Sequence, residues 1–223
     1  MSSDVIEPKQ LQIQITLAEE NLLEQLDNLY TKVIGIINEV QEMFNDIFQD
    51  RLEIVKTRIT RVIGAYRDLR NNYRGILEYA SRVSSALMTA NHYLNILNAS
   101  SDLLEKIHKL YIHFSLVHNP SELNEDIIIS AQKILSLLIE CIDKLQNILR
   151  SYIGMPTRAD KIIDDLSTSI QNLSSYYDES YVNSMREKIN MLSVIIMDSL
   201  GDVVNSFIKI YEALLCLHVV KRK

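Results

Sequence analysis

From Phe48 to Leu97, apolar or small residues recur in an unbroken alternation of four- and three-residue steps: Phe48, Leu52, Val55, Ile59, Val62, Tyr66, Leu69, Tyr73, and so on through Leu87 and Leu94. A mean step of 3.5 residues is the seam of α-helices that lie side by side at small crossing angles. Read as one helix of about 50 residues, this stretch would be about 75 Å long at 1.5 Å per residue. An upstream stripe from Ile15 through Leu22, Leu29, Ile36 and Met43 to Ile47 repeats the spacing but does not join the second in phase. This mismatch predicts a hairpin turn near the segment FNDIFQD; one continuous helix with a stutter is the alternative.

Further breaks follow from capping chemistry. Asp102 with Glu105 reads as a capping box opening a new helix, which ends before Asn119-Pro120. Ser121 then caps a helix through Ile128, Leu135, Leu145 and Tyr152. The segment GMPT at 154–157 breaks the chain again, Thr157 and Asp160 forming another capping box, and SSYYDES is read as the last break. The final helix carries Val182, Met185, Ile189, Leu192 and a stripe running to Leu217. Five Gly and three Pro in 223 residues leave few turn residues for sheets. Adjacent apolar pairs such as Ile36-Ile37, Leu137-Leu138 and Ile195-Ile196 widen each seam, so each helix touches two neighbours. The expected fold is all-α: an elongated, antiparallel bundle of about six helices with coiled-coil-like heptad packing. Residues 9–219 form one domain, 1–8 a flexible N-terminus and 220–223 a solvated basic tail.

Charge is unevenly placed. Residues 1–50 hold ten acids and two bases, whereas 51–98 hold three acids and eight bases, in a protein of net charge −6. The bases Arg51, Lys56, Arg58, Arg61, Arg67, Arg70, Arg74 and Arg82 are candidates for an anionic partner, a membrane or a nucleic acid. They fall on several heptad positions, and the chain as a whole is acidic. We therefore expect them chiefly to answer the acidic first helix, many weak pairs together selecting that neighbour.

Little points to chemistry. No glycine-rich phosphate loop or nucleophile elbow occurs. His108, His113 and His118 are five residues apart and do not share a helix face, and Glu105 with His108 makes only one ExxH. Tyr66 and Tyr73 on the seam, and the Tyr176-Tyr177 pair at a helix corner, read as packing residues. Cys141 and Cys216 lie in apolar patterns without metal spacing and read as buried thiols, a disulfide being the alternative. Asp198 and Asp202, four apart, are a candidate metal pair, and Asp160 and Asp164 share the spacing. The spacing resembles that of the acidic helices in PhoU-like phosphate-signalling bundles. There the pairs recur in both halves, whereas here they occupy the C-terminal third and Pro156 stands four residues before Asp160; no family is assigned.

The uncharged run Val83–Ser101 is long enough to span a membrane, but its Asn, His and Ser residues and its amphipathic repeat argue against that. The polar, acidic N-terminus is unlike a signal peptide, and a cytoplasmic location is expected. The expected function is a non-catalytic structural or protein–protein interaction module that self-associates, without a cofactor or small-molecule substrate. Helices of unequal length would leave apolar seam ends for another copy to cover. The alternatives are a module that binds an anionic surface through residues 51–82, and a PhoU-like metal-binding regulator.

Overall fold

The computed structural model describes residues 16–117, 119, 122–186 and 191–222. It contains six α-helices and, among the described residues, no strand: α1 (Leu17–Phe48), α2 (Leu52–Val83), α3 (Ala90–Phe114), α4 (Glu125–Gly154), α5 (Ala159–Arg186) and α6 (Met191–Lys221). Each helix packs chiefly on two others, and the order of neighbours closes on itself: α1, α2, α3, α6, α5, α4 and back to α1. A single apolar core runs through the ring from Leu22 to Leu217.

Of the two readings of the first two stripes, the hairpin is the correct one, seen over the described residues 16–98. The chain reverses through Gln49, Asp50 and Arg51, with Asp50 in the left-handed region at φ 57°. Asp is one of the few residues with a side chain that adopt this conformation readily, so the turn needs neither Gly nor Pro. The Arg51 amide then donates to the Asp46 carbonyl at 2.8 Å.

The seven-heptad helix is not continuous. It stops at Val83, passes through a 3-10 turn at Ser84–Ala86 and restarts at Ala90. Ser81 and Ser84 hydroxyls bond the carbonyls of Leu77 and Ser81, and Leu87 is extended (φ −115°, ψ 116°). Short polar side chains compete here for backbone acceptors. Leu87 and Ala90 nevertheless stay buried, so the seam survives a break in the helix that carries it.

Other boundaries also move. Asp102 is not a cap but lies inside α3, where its carboxylate pairs with Lys209 at 2.7 Å. Ser121 lies outside the described residues; Asn124 caps α4 by accepting from the Asp126 amide. Thr157 sits in a 3-10 turn at Pro156–Arg158 and α5 starts at Ala159. SSYYDES is interior to α5 rather than a break: Ser175, Asp178 and Glu179 lie on the solvent side of a stripe that continues through Leu166, Leu173 and Ser180. Val182 is therefore on α5 and exposed, while the side chain of Met185 and all of Ile189 lie outside the described residues. The helices are also better matched in length than expected, at 25–32 residues.

Across the ring, α1 and α3 run parallel with a constant offset. Tyr30 meets Ser100 and Glu19 meets Thr89, each 70 residues apart, and Phe44 packs edge-on against Phe114 at the same separation. Seventy residues is a whole number of heptads, so seam position faces seam position. Helix α6 is long and apolar enough to cross a membrane by length and composition. In the bundle it lies against α3, α4 and α5, and a helix with three neighbours is apolar on most of its circumference. Gly201 lets α5 approach it: a Cβ there would lie 2.5 Å from Cζ of Tyr177. Tyr177 is thus a packing residue, though within a helix rather than at a corner.

Gly201→Ala is expected to destabilise the fold by about 1–3 kcal/mol through overpacking. Urea unfolding checks this, and a double-mutant cycle with Tyr177→Ala should recover most of the loss.

Candidate functional site

The basic band divides into two sets. Arg58 donates Nε to Asp46 at 2.6 Å and Nη1 to Glu39 at 2.9 Å, and Arg61 reaches the other Glu39 oxygen at 3.1 Å. Arg51 contacts Asp46 at 2.8 Å. Asp46 is 1% exposed, so the two guanidinium groups compensate a carboxylate that the hairpin has removed from water. Burial pushes the Glu39 carboxyl up, but hydrogen bonds from Arg58 and Arg61 outweigh it and hold the group below its usual range. The same contacts, that to Asp46 foremost, raise Arg58.

The second set faces away from α1. Lys56 pairs with Glu53 of its own helix. Arg70 bonds Ser101 Oγ at 3.2 Å and lies 5.8 Å from the Tyr73 ring centroid. Arg67, Arg74 and Arg82 are exposed and form no ion pair among the described residues. Beside them Tyr66 stacks on His108, with ring centroids 4.5 Å apart. Burial, together with the nearby Arg70 charge, lowers the His108 pKa.

The candidate metal pair is otherwise engaged. Asp202 is neutralised by Lys109 at 3.0 Å and Lys106 at 3.8 Å, and Asp198 hydrogen-bonds Tyr181. Among the described residues no cluster of three His, Cys, Asp or Glu side chains is placed to hold a metal ion. His113 Nδ1 lies 2.7 Å from Ser199 Oγ, but Ser199 gives its only proton to the Ile195 carbonyl. The imidazole therefore donates, the reverse of nucleophile activation, at a serine that is 1% exposed. His118 lies outside the described residues. Both thiols are free: Cys141 is buried and burial raises it to about 12, whereas Cys216 is exposed, not buried.

The most connected polar cluster includes neither the basic band nor the Asp198–Asp202 pair; of the residues singled out in the sequence, Asp160 belongs to it. At the end of the bundle where α1 begins and α6 ends, Glu19 pairs with Lys221 at 2.7 Å, each side chain 10% exposed. Tyr93 and Thr89 donate to the same carboxylate at 2.8 and 3.0 Å. The Lys221 ammonium lies 5.3 Å from the centroid of the Tyr152 ring, whose hydroxyl is 3.0 Å from His218 Nδ1; His218 Nε2 is 2.7 Å from Asp160. Five helices and the α2–α3 connection meet in this network. Burial pushes Glu19 up, but the bonds from Lys221, Tyr93 and Thr89 outweigh it and its pKa is lowered. Lys221 is thus not in a solvated tail; it is the last residue of α6. A signal was present: Ile210, Leu214, Leu217 and Lys221 continue the four–three alternation, and Glu19 opens a second one through Leu23, Leu26, Tyr30 and Val33.

No family model, curated protein or solved structure matches the chain.

Lys221→Met would leave the Glu19 carboxylate buried and unpaired, and a loss of about 3–5 kcal/mol is expected in urea unfolding. Replacing both partners, Glu19→Gln with Lys221→Met, should cost less. Because folding lowers the Glu19 pKa, its contribution is complete above the ordinary glutamate value and is lost as pH falls through the folded one. Below about pH 4 the wild type should therefore lose stability more steeply than Glu19→Gln.

Proposed function

We propose that the protein is a non-catalytic helical interaction module that self-associates, in the cytoplasm, through one end of the bundle. The observation that carries this reading is the distribution of exposed apolar side chains. At the end where α1 stops and α6 starts, every helix or its flank contributes one: Phe48 (55% exposed), Ile54, Leu116 (48%), Ile129, Val182 and Met191 (79%). Scattered exposed apolar residues are ordinary, but a set that draws on all six helices at one pole is the mark of a protein contact. A cleft of about 510 Å³ opens between α4 and α5 at the same pole, with Ile127, Ile129 and Tyr176 in its walls and the small Ser180 and Ser184 at its base. The opposite pole also exposes Leu17, Met88, Met155, Val219 and Val220, but none of these comes from α2 or α5, and its centre is filled by the Glu19–Lys221 network.

What favours this over an anionic surface bound along residues 51–82 is that Arg51, Arg58 and Arg61 are already engaged by α1. What favours it over a metal-dependent regulator is the pairing of Asp202 with two lysines.

Size-exclusion chromatography with light scattering, run at high salt, is expected to give at least a dimer. The double variant Phe48→Ser/Leu116→Ser should be a monomer with an unchanged helical spectrum. A monodisperse wild-type monomer would overturn the reading.

A further inference from the structure

The ring order places α2 and α5 on opposite sides of the bundle: α2 packs on α1 and α3, α5 packs on α4 and α6, and the two share no neighbour. Their solvent faces carry opposite charge. On α2, Arg67, Arg70, Arg74 and Arg82 are exposed, with Asp68 and Glu78 as the acids among them. On α5, Asp164, Asp165, Asp178 and Glu179 are exposed, with Lys161 as the one nearby base on that helix's face among the described side chains. None of these eight groups forms a salt bridge among the described residues. Elsewhere ion pairs tie helices together, as in Lys209–Asp102, Arg150–Asp27 and Lys109–Asp202. The unpaired exposed charges there are of mixed sign along a helix, such as Glu24 and Lys32 on α1 or Lys133 and Asp143 on α4. The two ridges are thus runs of unpaired charge mostly of one sign, on opposite sides of the bundle.

The ridges also match in length. Arg67 to Arg82 spans about 22 Å of helix, and the two acidic pairs of α5 are centred about 21 Å apart, at 1.5 Å per residue. Between the acidic pairs α5 presents only neutral polar groups to solvent, Thr168, Gln171, Asn172 and Ser175.

We propose that the arginine ridge of α2 docks on the acidic ridge of α5 of a second copy of this chain. The inference rests on the reading that the module self-associates and names a second surface for it. Because the two ridges face opposite directions, a two-fold dimer cannot satisfy both at once. The contact is heterologous: each copy offers one free ridge at either side, and copies add side by side into rows or rings. Exposed ion pairs contribute about 0–1 kcal/mol each and are screened by salt, so the rows are weak and salt-sensitive. The apolar pole lies at right angles to this contact and remains free within it.

Sedimentation velocity of the full chain tests this. At an ionic strength of about 0.01 M, where the Debye length is about 30 Å, the wild type is expected to form species larger than those seen at about 1 M. Arg67→Glu/Arg70→Glu/Arg74→Glu should abolish the larger species, and so should Asp164→Lys/Asp165→Lys/Asp178→Lys. An equimolar mixture of the two variants should restore association, because the reversed ridge of each complements the reversed ridge of the other. Failure of the mixture to associate, or sedimentation indifferent to salt, would overturn the proposal. So would tight, α2-dependent retention of a single-stranded oligonucleotide or of phosphatidylserine vesicles without any self-assembly, since the ridge would then serve an external anion. Salt-sensitive rows from a wild type that is a monomer at high salt would leave this inference standing while the apolar-pole reading falls. A high-salt dimer that gains no larger species at low ionic strength would do the converse.

Discussion

The bundle depends on helices that each carry two adjacent apolar seams. A single 3.5-residue seam would pair two helices into a rod and stop there. In α1, Leu22, Leu29, Ile36 and Met43 lie on one seam and Leu23, Tyr30, Ile37 and Phe44 on the next, and all are at most 3% exposed. The first seam and its neighbour face partners about 100° apart, so each helix must find two of them, and six such helices close into a ring. Burial of a side chain of this size contributes about 1.5–3 kcal/mol. Burial supplies the force, and the heptad spacing supplies the register, down to the whole-heptad offset between α1 and α3.

Charge acts on this frame as a selector. The acidic α1 and basic α2 are joined by only three residues, and the pairs of Arg51, Arg58 and Arg61 with Asp46 and Glu39 lie along their contact. Asp46 sets the stakes: a buried carboxylate is tolerable only beside α2, and any other neighbour would leave it uncompensated. Glu19 does the same at the other pole, where it accepts only a fold that brings the last turn of α6 to the first turn of α1. The two buried acids therefore bracket α1, one recognising its sequence neighbour and the other the far end of the chain.

The helical architecture was legible because periodicity is a local property, summed over seven heptads. The breaks were less so. The reversal at Asp50 has no Gly or Pro, and the interruption at 84–89 keeps its seam, so the pattern that reveals helices concealed the end of one. Asp102 looked like a cap because capping boxes and interior acid pairs have the same sequence spacing; the partner that distinguishes them, Lys209, is on another helix. SSYYDES looked like a loop by composition, yet Tyr177 fits against Gly201, a complement that no local window contains. The basic residues were found, but their division between α1 and solvent follows from where on α2 each one falls relative to neighbours that only packing defines.

The amino-acid sequence by itself determined that the chain is helical, that its helices pack lengthwise with more than one neighbour each, and that positive charge follows negative along the first hairpin. These are consequences of spacing and order, which the chain carries without reference to its fold. Tertiary structure alone decided the ring order, the meeting of Glu19 with Lys221, and the outward direction of Arg67, Arg74 and Arg82. The physical reason is that burial and pairing of a charged group depend on groups far away in the chain, and spacing along one helix says nothing about which other helix will stand beside it.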